Sequence, residues 1–363
     1  MSIDFKLERW DNIRETYGLW WERKLDRPVI PVILNGKDPG RNEPATPLLT
    51  QANCNDLSIP AKEIVDRIEY ELSKNIYLGD AFPYFNLDCF GPGIVAAFLG
   101  AHLDNLTGRV WFHPKEVLPI NELHFEYNAD NVWLNRIKEI CAEAMKRWQG
   151  QILMGMPDLG GTLDILSTFR PGDGLLLDLY DYPEEVDRLI WELHDLWHRF
   201  YNEISEVLQP VNPGYSSWSQ LYCDKPSYVL QSDFSYMIGP DMFNEFVKPE
   251  LAASCKRLLH TIYHLDGVGQ LNHLDSLLGI SELDAVQWVP GDGTPDQSHW
   301  PEVFRKISKA GKGIQLFNGF DCLDEVARQI GTYKGFHHMA FSGHISQEDE
   351  FKRQLEKYGV SSI

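Results

Sequence analysis

The sequence predicts an α/β protein: a (β/α)8 TIM barrel with an N-terminal helical extension, one domain over residues 1–363. Eight short apolar runs are mostly separated by stretches of helical periodicity, and strands that alternate with helices pair in parallel through right-handed crossovers. A count of eight favours a closed barrel over an open doubly wound sheet. The clearest units lie in 261–293, where one run ends in His264-Leu265-Asp266-Gly267 and the next, Leu283 to Val289, ends in Pro290-Gly291-Asp292-Gly293. Each delivers ionisable side chains at a strand's carboxyl end, the edge where ligands gather in parallel α/β architectures.

Along the chain, Phe5, Trp10, Ile13, Tyr17, Trp20 and Trp21 fall at helical spacing and predict an amphipathic helix over 4–25. RPVIPVIL, 27–34, reads as strand one, and the Gly-, Pro-, Asn- and Asp-rich 35–60 as a long loop. Ile64, Ile68, Leu72 and Ile76, four apart, predict a helix over 61–78. Strand two is 81–85; 90–128 is irregular, with a short helix near Val95 and a strand at 109–112. A helix over 131–148 leads to strand three, 151–156. Pro183 to Leu208 carries one apolar stripe through Val186, Leu189, Ile190, Leu193, Trp197, Phe200 and Ile204. Strand four is 215–221, followed by a β-like run at 228–233 and a helix over 240–260. Strands five and six belong to the 261–293 stretch, strand seven is 313–317, strand eight 336–341, and a helix over 347–358 closes the chain.

Net charge is −20, from 33 basic and 53 acidic residues, which disfavours nucleic acid and anionic membranes as partners. The six cysteines contain no C-x-x-C pair, so a zinc ribbon or disulfide framework is not expected and a reducing cytoplasm is. MSIDFKLERWDN is charged, without the look of a signal peptide, and the apolar stretch Gly93 to Leu103 is too short to span a bilayer. The aromatic load of 11 Trp, 15 Tyr and 18 Phe suits a large core and an aromatic pocket for a small molecule. Barrels with exposed aromatic surface often pair, so a homodimer is an open expectation.

In a barrel the polar residues beyond each strand converge on one face. Here they are Asn35, Asp88, Asp158, Gln220, Asp233, His264, Asp266, Trp288, Asp292, Gln315, Asn318, Ser342 and His344. His264 and Asp266, two apart at a strand end, point the same way. They can be two ligands of a zinc ion, an orienting pair for proton transfer, or a hydrogen-bonded wall histidine beside a helix cap. His344 is a third ligand or a general acid, and Asp88 a general base or cation-stabilising carboxylate. Asp292 is either catalytic or a turn residue. Asn35, Asp158, Gln220, Asp233, Trp288 and Asn318 are candidate substrate contacts. His194-Asp195-Leu196-Trp197-His198 imitates H-E-x-x-H but sits mid-helix, where a solvated outer face is expected. Asp266-Gly267-Val268-Gly269 is too short and acidic for a phosphate cradle.

At these residues the chain resembles the uroporphyrinogen decarboxylase-like superfamily, which includes cobalamin-dependent methyltransferases. The resemblance covers nearly the whole length. It rests on the first helix leading to Arg27-Pro28-Val29, on PDLGGTLDILSTFRPGDGLLLDLYDYPEEVDRLI, and on His264 followed by Gly267. It implies a (β/α)8 barrel. The decarboxylases carry an R-Q-A-G-R-Y segment that grips porphyrinogen carboxylates; the stretch here, Asn35 to Arg41, has only Lys37 and Arg41 basic. Their catalytic aspartate is matched by Asp88. In the methyltransferase branch, H-x-C on strand five and a Cys after strand eight hold zinc. His264 matches the histidine, Asp266 replaces the first cysteine, and Ser342-Gly343-His344 stands near the last. A His264/Asp266/His344 set is harder than His/Cys/Cys and suits zinc acting as a Lewis acid on a heteroatom or a water.

The resemblance thus implies an enzyme, a methyltransferase moving a methyl group between a small substrate and a corrinoid on a carrier protein. Two alternatives stand beside it: a decarboxylase acting on a substrate other than the octacarboxylate porphyrinogen, and a non-catalytic small-molecule binding protein.

Overall fold

A computed structural model describes residues 3–361. The helix Arg9–Trp21, shorter than the predicted 4–25, buries Trp10, Ile13, Tyr17, Trp20 and Trp21. Strand β1 (Pro31–Asn35) lies later than the strand predicted at 27–34, and of residues 27–30 only Val29 makes a parallel bridge, to His337. The cause lies in the two prolines: Pro28 and Pro31 have no N–H, so this run cannot sustain a ladder. The Arg27 guanidinium instead grips Asp80 at 2.7 and 2.9 Å, and Asp80 Oδ2 accepts from the Ile30 N–H.

The helix predicted to Leu78 ends at Ser73, and Asn75–Gly79 forms β2, antiparallel to β1. Ile76 and Tyr77 prefer the pleated surface that β1 offers over a further helical turn. β3 (Tyr84–Phe85) pairs in parallel with the later β6 (Leu153–Met154), while β4 (His102–Asp104) and β5 (Trp111–His113) form an antiparallel ribbon between them in sequence.

The carboxyl-terminal half builds a five-stranded parallel sheet of β7 (Ser227–Gln231), β8 (His260–Asp266), β9 (Ala285–Val289), β10 (Gly313–Leu316) and β11 (Phe336–His338), in the order β11-β10-β9-β8-β7. The β-like run at 228–233 is therefore the strand, and 215–221 is not. That segment makes only an antiparallel bridge between Tyr215 and Cys223, and Gln220 turns it with φ +58. Helix 240–260 is interrupted by a π turn, Phe243–Val247, just before Pro249. A proline there has no N–H to donate one turn back. Strand eight also breaks: β12 (Phe341–His344) leaves the sheet and pairs in parallel with β1.

Helix Pro183–Leu208 buries the predicted stripe, but it also buries His194 and His198, which corrects the expected solvated face. His194 Nδ1 meets Glu250 Oε1 at 2.8 Å, Ser254 Oγ donates to the same oxygen at 2.7 Å, and His198 Nε2 lies 3.0 Å from Ser254 Oγ. These polar atoms satisfy one another between two packed helices, and burial pushes His198 down to about 3, so it is neutral. Among the described residues no helix is long and apolar enough to cross a membrane.

Candidate functional site

Parallel register places one residue from each strand of the main sheet in a single row: Gln231, His264, Gln287, Gln315 and His337. All but His264 are buried to at least nine-tenths. Two residues beyond this row lie Asp266 on β8 and Asp233 just past β7, level with each other by the same register. One ligand atom from each of Asp233, His264 and Asp266 lies within 4.8 Å of the others, and His264 Nε2 is 3.8 Å from Asp266 Oδ2.

The row also fixes the imidazole. Gln315 Nε2 donates to the Ser219 carbonyl at 2.9 Å, and a carbonyl can only accept. Gln315 Oε1 therefore faces Gln287 and accepts from its Nε2 at 2.7 Å. Gln287 must then present Oε1 to His264 Nδ1, 2.5 Å away, so Nδ1 carries the proton. Burial lowers the His264 pKa, against the raising influences of Gln287, Asp266 and Asp164, and holds the ring neutral. The Nε2 lone pair is left facing the two carboxylates. The edge of Trp218 against the ring, centroids 5.0 Å apart, confines it further. This is the outer support that metal-bound histidines characteristically have.

Two adjoining cavities open at this edge. One, of about 320 Å3, is walled by Asp88, Asp158, Trp218, Gln231, Asp233 and His264. The other, of about 450 Å3, is more apolar, with Phe112, Ile165, Phe234, Tyr236 and Met237. Pro92, Gln231 and Asp233 line both. Surrounding protein pushes the Asp88 carboxyl up to about 6. Burial likewise takes Asp158 up to about 7, opposed by the Gly160 N–H and assisted by Asp88 and Asp233. Asp164 and Asp233 are raised for the same first reason and then by neighbouring carboxylates. Asp164 accepts from the Phe234 and Asp233 amides at 2.7 and 3.1 Å, which ties the start of the segment after β7 to the helix Thr162–Phe169.

Of the residues expected at the site, Asp88, Asp158, Asp233, His264 and Asp266 come together and Gln315 stands behind them. The others do not. His344 leaves with β12, level with Asn35, and caps the turn that follows: its Nδ1 accepts from the Ser346 amide at 3.2 Å. The third member of the cluster that could hold a metal ion is Asp233. Ser342 and Asn35 are exposed on that outer sheet. Trp288 is fully buried core, its ring against Trp300, and Asn318 braces a loop, its Oδ1 accepting from the Gln297 amide. Asp292 sits on an exposed turn, and Gln220 in a left-handed turn outside both cavity walls.

Gln231, Gln287, Asp164 and Trp218 were not anticipated. For the two glutamines a signal existed: a lone amide in the apolar runs SYVLQ and AVQWV is costly unless it has a partner. Comparison with protein-family models and with curated proteins finds no match.

Proposed function

We propose that the chain is a metal-dependent methyltransferase of the uroporphyrinogen decarboxylase-like superfamily, its strands closing into a (β/α)8 barrel. It would move a methyl group between a small substrate and a corrinoid on a carrier protein. The observation that carries the reading is the Asp233/His264/Asp266 cluster with its imidazole held as the Nδ1–H tautomer. One nitrogen and two carboxylate donors suit a zinc-like divalent ion, and the neutral, externally supported ring is the form that binds one. When bound, such an ion supplies Lewis acidity at a substrate heteroatom. The chain's own groups would do the rest. The apolar cavity accommodates the alkyl part and excludes water. Asp88 and Asp158, raised toward neutrality, hold a proton within the polar cavity that can pass to the heteroatom left by the methyl group.

The test is elemental analysis of wild-type and His264→Ala protein, joined to methyl transfer with a corrinoid carrier protein. Near-stoichiometric metal lost in the variant, with transfer lost alongside it, is expected. A metal-free wild type, or a variant that keeps its metal, overturns the metal assignment; a metal-loaded protein inert with every carrier and donor overturns the methyl transfer. Asp88 favours a second reading, decarboxylation, because it lies in the same cavity outside the ligand cluster with a raised pKa. Turnover of a carboxylated substrate without metal, abolished in Asp88→Asn, would select that reading.

A further inference from the structure

The ribbon of β4 and β5 turns its two faces to different surroundings. Leu103 and Phe112, one cross-strand pair, face inward: Leu103 is buried, and Phe112 stands in the wall of the apolar cavity. Side chains alternate along a strand, so the pairs on either side, His102 with His113 and Asp104 with Trp111, share the outer face. His102, Trp111 and His113 are exposed there. His113 Nε2 lies 3.9 Å from Asp104 Oδ2. His102 has no hydrogen bond, ion pair or ring contact among the described residues, so its ring is free to turn toward His113. Residues directly opposite on an antiparallel pair have Cβ atoms about 4.5–5.5 Å apart. From that span two imidazoles can reach one ion at metal–nitrogen distances of about 2.0–2.1 Å.

We infer that His102, His113 and Asp104 form a second metal site, for a divalent transition ion that prefers imidazole. Two nitrogens and one carboxylate oxygen, with water completing the sphere, suit copper, nickel or zinc, and copper binds such donors tightest. The site is independent of the methyl-transfer reading and shares no residue with the Asp233/His264/Asp266 cluster. It is open to solvent and loses its ion to a chelator, which keeps it apart from metal that purifies with the chain. The His102–His113 pair closes the end of the ribbon away from the turn at 105–110. An ion there ties the two strands together and, through them, steadies Phe112 in the cavity wall.

The test is a copper(II) titration of chelator-dialysed protein, wild type and His264→Ala, read by calorimetry and by tryptophan fluorescence. Trp111 lies two residues from His113 on the same face and should be quenched as copper binds. His264→Ala protein should still take up a single copper per chain and lose fluorescence as it does. On that background His102→Asn and His113→Asn should each weaken binding at least about 10-fold, because a chelating pair becomes one ligand. Replacing both should abolish it, and Asp104→Asn should weaken it less. Trp111→Phe should keep the affinity and lose most of the quenching. Both histidines are at the surface, so circular dichroism should show every variant folded. Unchanged affinity in either single histidine variant overturns the inference. So does copper retained by the double variant, which would then sit on other exposed histidines, or His264→Ala protein that binds none. Metal that survives chelation in wild type and is missing from His264→Ala belongs to the Asp233/His264/Asp266 cluster, so failure of one site leaves the other standing.

Discussion

His264 Nδ1 lies 2.5 Å from Gln287 Oε1, and the direction of that bond is dictated two strands away by the carbonyl of Ser219. Three side chains in one row of the sheet thus transmit the polarity of a backbone group to the ring that faces the cavity. If the ring binds metal through Nε2, breaking the row should cost affinity without removing a ligand. Gln287→Leu is expected to weaken metal binding about 10- to 100-fold, and Gln315→Leu somewhat less. Competition against a chelator of known affinity measures it. Unchanged affinity in a folded Gln287→Leu protein would show that the row is only structural.

Asp88 links the cavity to stability. Its carboxyl titrates at about 6 in the folded chain against an ordinary value of 3.8. Between those values the unfolded chain has released the proton and the folded chain still holds it. Stability from this group is therefore full below about 4 and lost as pH rises through about 6. Asn cannot ionise, so Asp88→Asn should gain on wild type as pH rises from 4 to 8. Solvent at the cavity wall screens the gain to about 1 kcal/mol or less. Denaturant titrations at both pH values decide it, and a gain that shrinks with pH would contradict the assignment.

The buried histidines of helix Pro183–Leu208 are expected to matter for folding and not for metal. Glu250 is the acceptor on which His194 and Ser254 both converge. Replacing it with Leu strands two polar groups between helices, at a cost of about 2–4 kcal/mol. Metal content per folded chain should stay at the wild-type level. Loss of metal in Glu250→Leu with the fold intact would relocate the site to this cluster.

Much of the site was legible because it is local in sequence. His264 and Asp266 lie two apart at the end of an apolar run, and the alternation of a strand alone puts them on one side. Asp233 was visible as a rim residue but not as a member of the cluster with His264 and Asp266. Its place beside Asp266 depends on β7 pairing with β8 so that Gln231 meets His264, and that register is non-local. His344 stands apart from that cluster because the chain leaves the sheet after His338, whose two ring nitrogens lie against the Asn318 and Met339 carbonyls, and re-forms a strand against β1. The apolar pattern of Phe336 to Phe341 does not distinguish a continuous strand from one that changes sheets. The prolines at 28 and 31 were readable signs that strand one would be broken. Ile76 fitted both the helical spacing before it and the strand it joins, and only the partner, β1, decides between them.

Gly161 offers the sharpest steric test of how closely the Asp233/His264/Asp266 cluster depends on the loop after β6. Its φ of −85 is open to any residue, so backbone freedom is not the reason for glycine. The reason is space: a Cβ there would stand 2.2 Å from the Gln231 carbonyl oxygen and 2.6 Å from Asp164 Oδ2. The first is backbone at the end of β7 and cannot swing aside. Gly161→Ala must therefore displace that strand end together with Asp164, which holds the Asp233 amide. Overpacking of this kind costs about 1–3 kcal/mol. Since Asp233 moves with the segment, metal affinity should fall along with melting temperature. Gly172→Ala, with open space around its Cβ position but a positive φ of 64, serves as the control: it should lose some stability and no metal affinity. If Gly161→Ala is destabilised yet binds metal as wild type does, Asp233 is not a ligand.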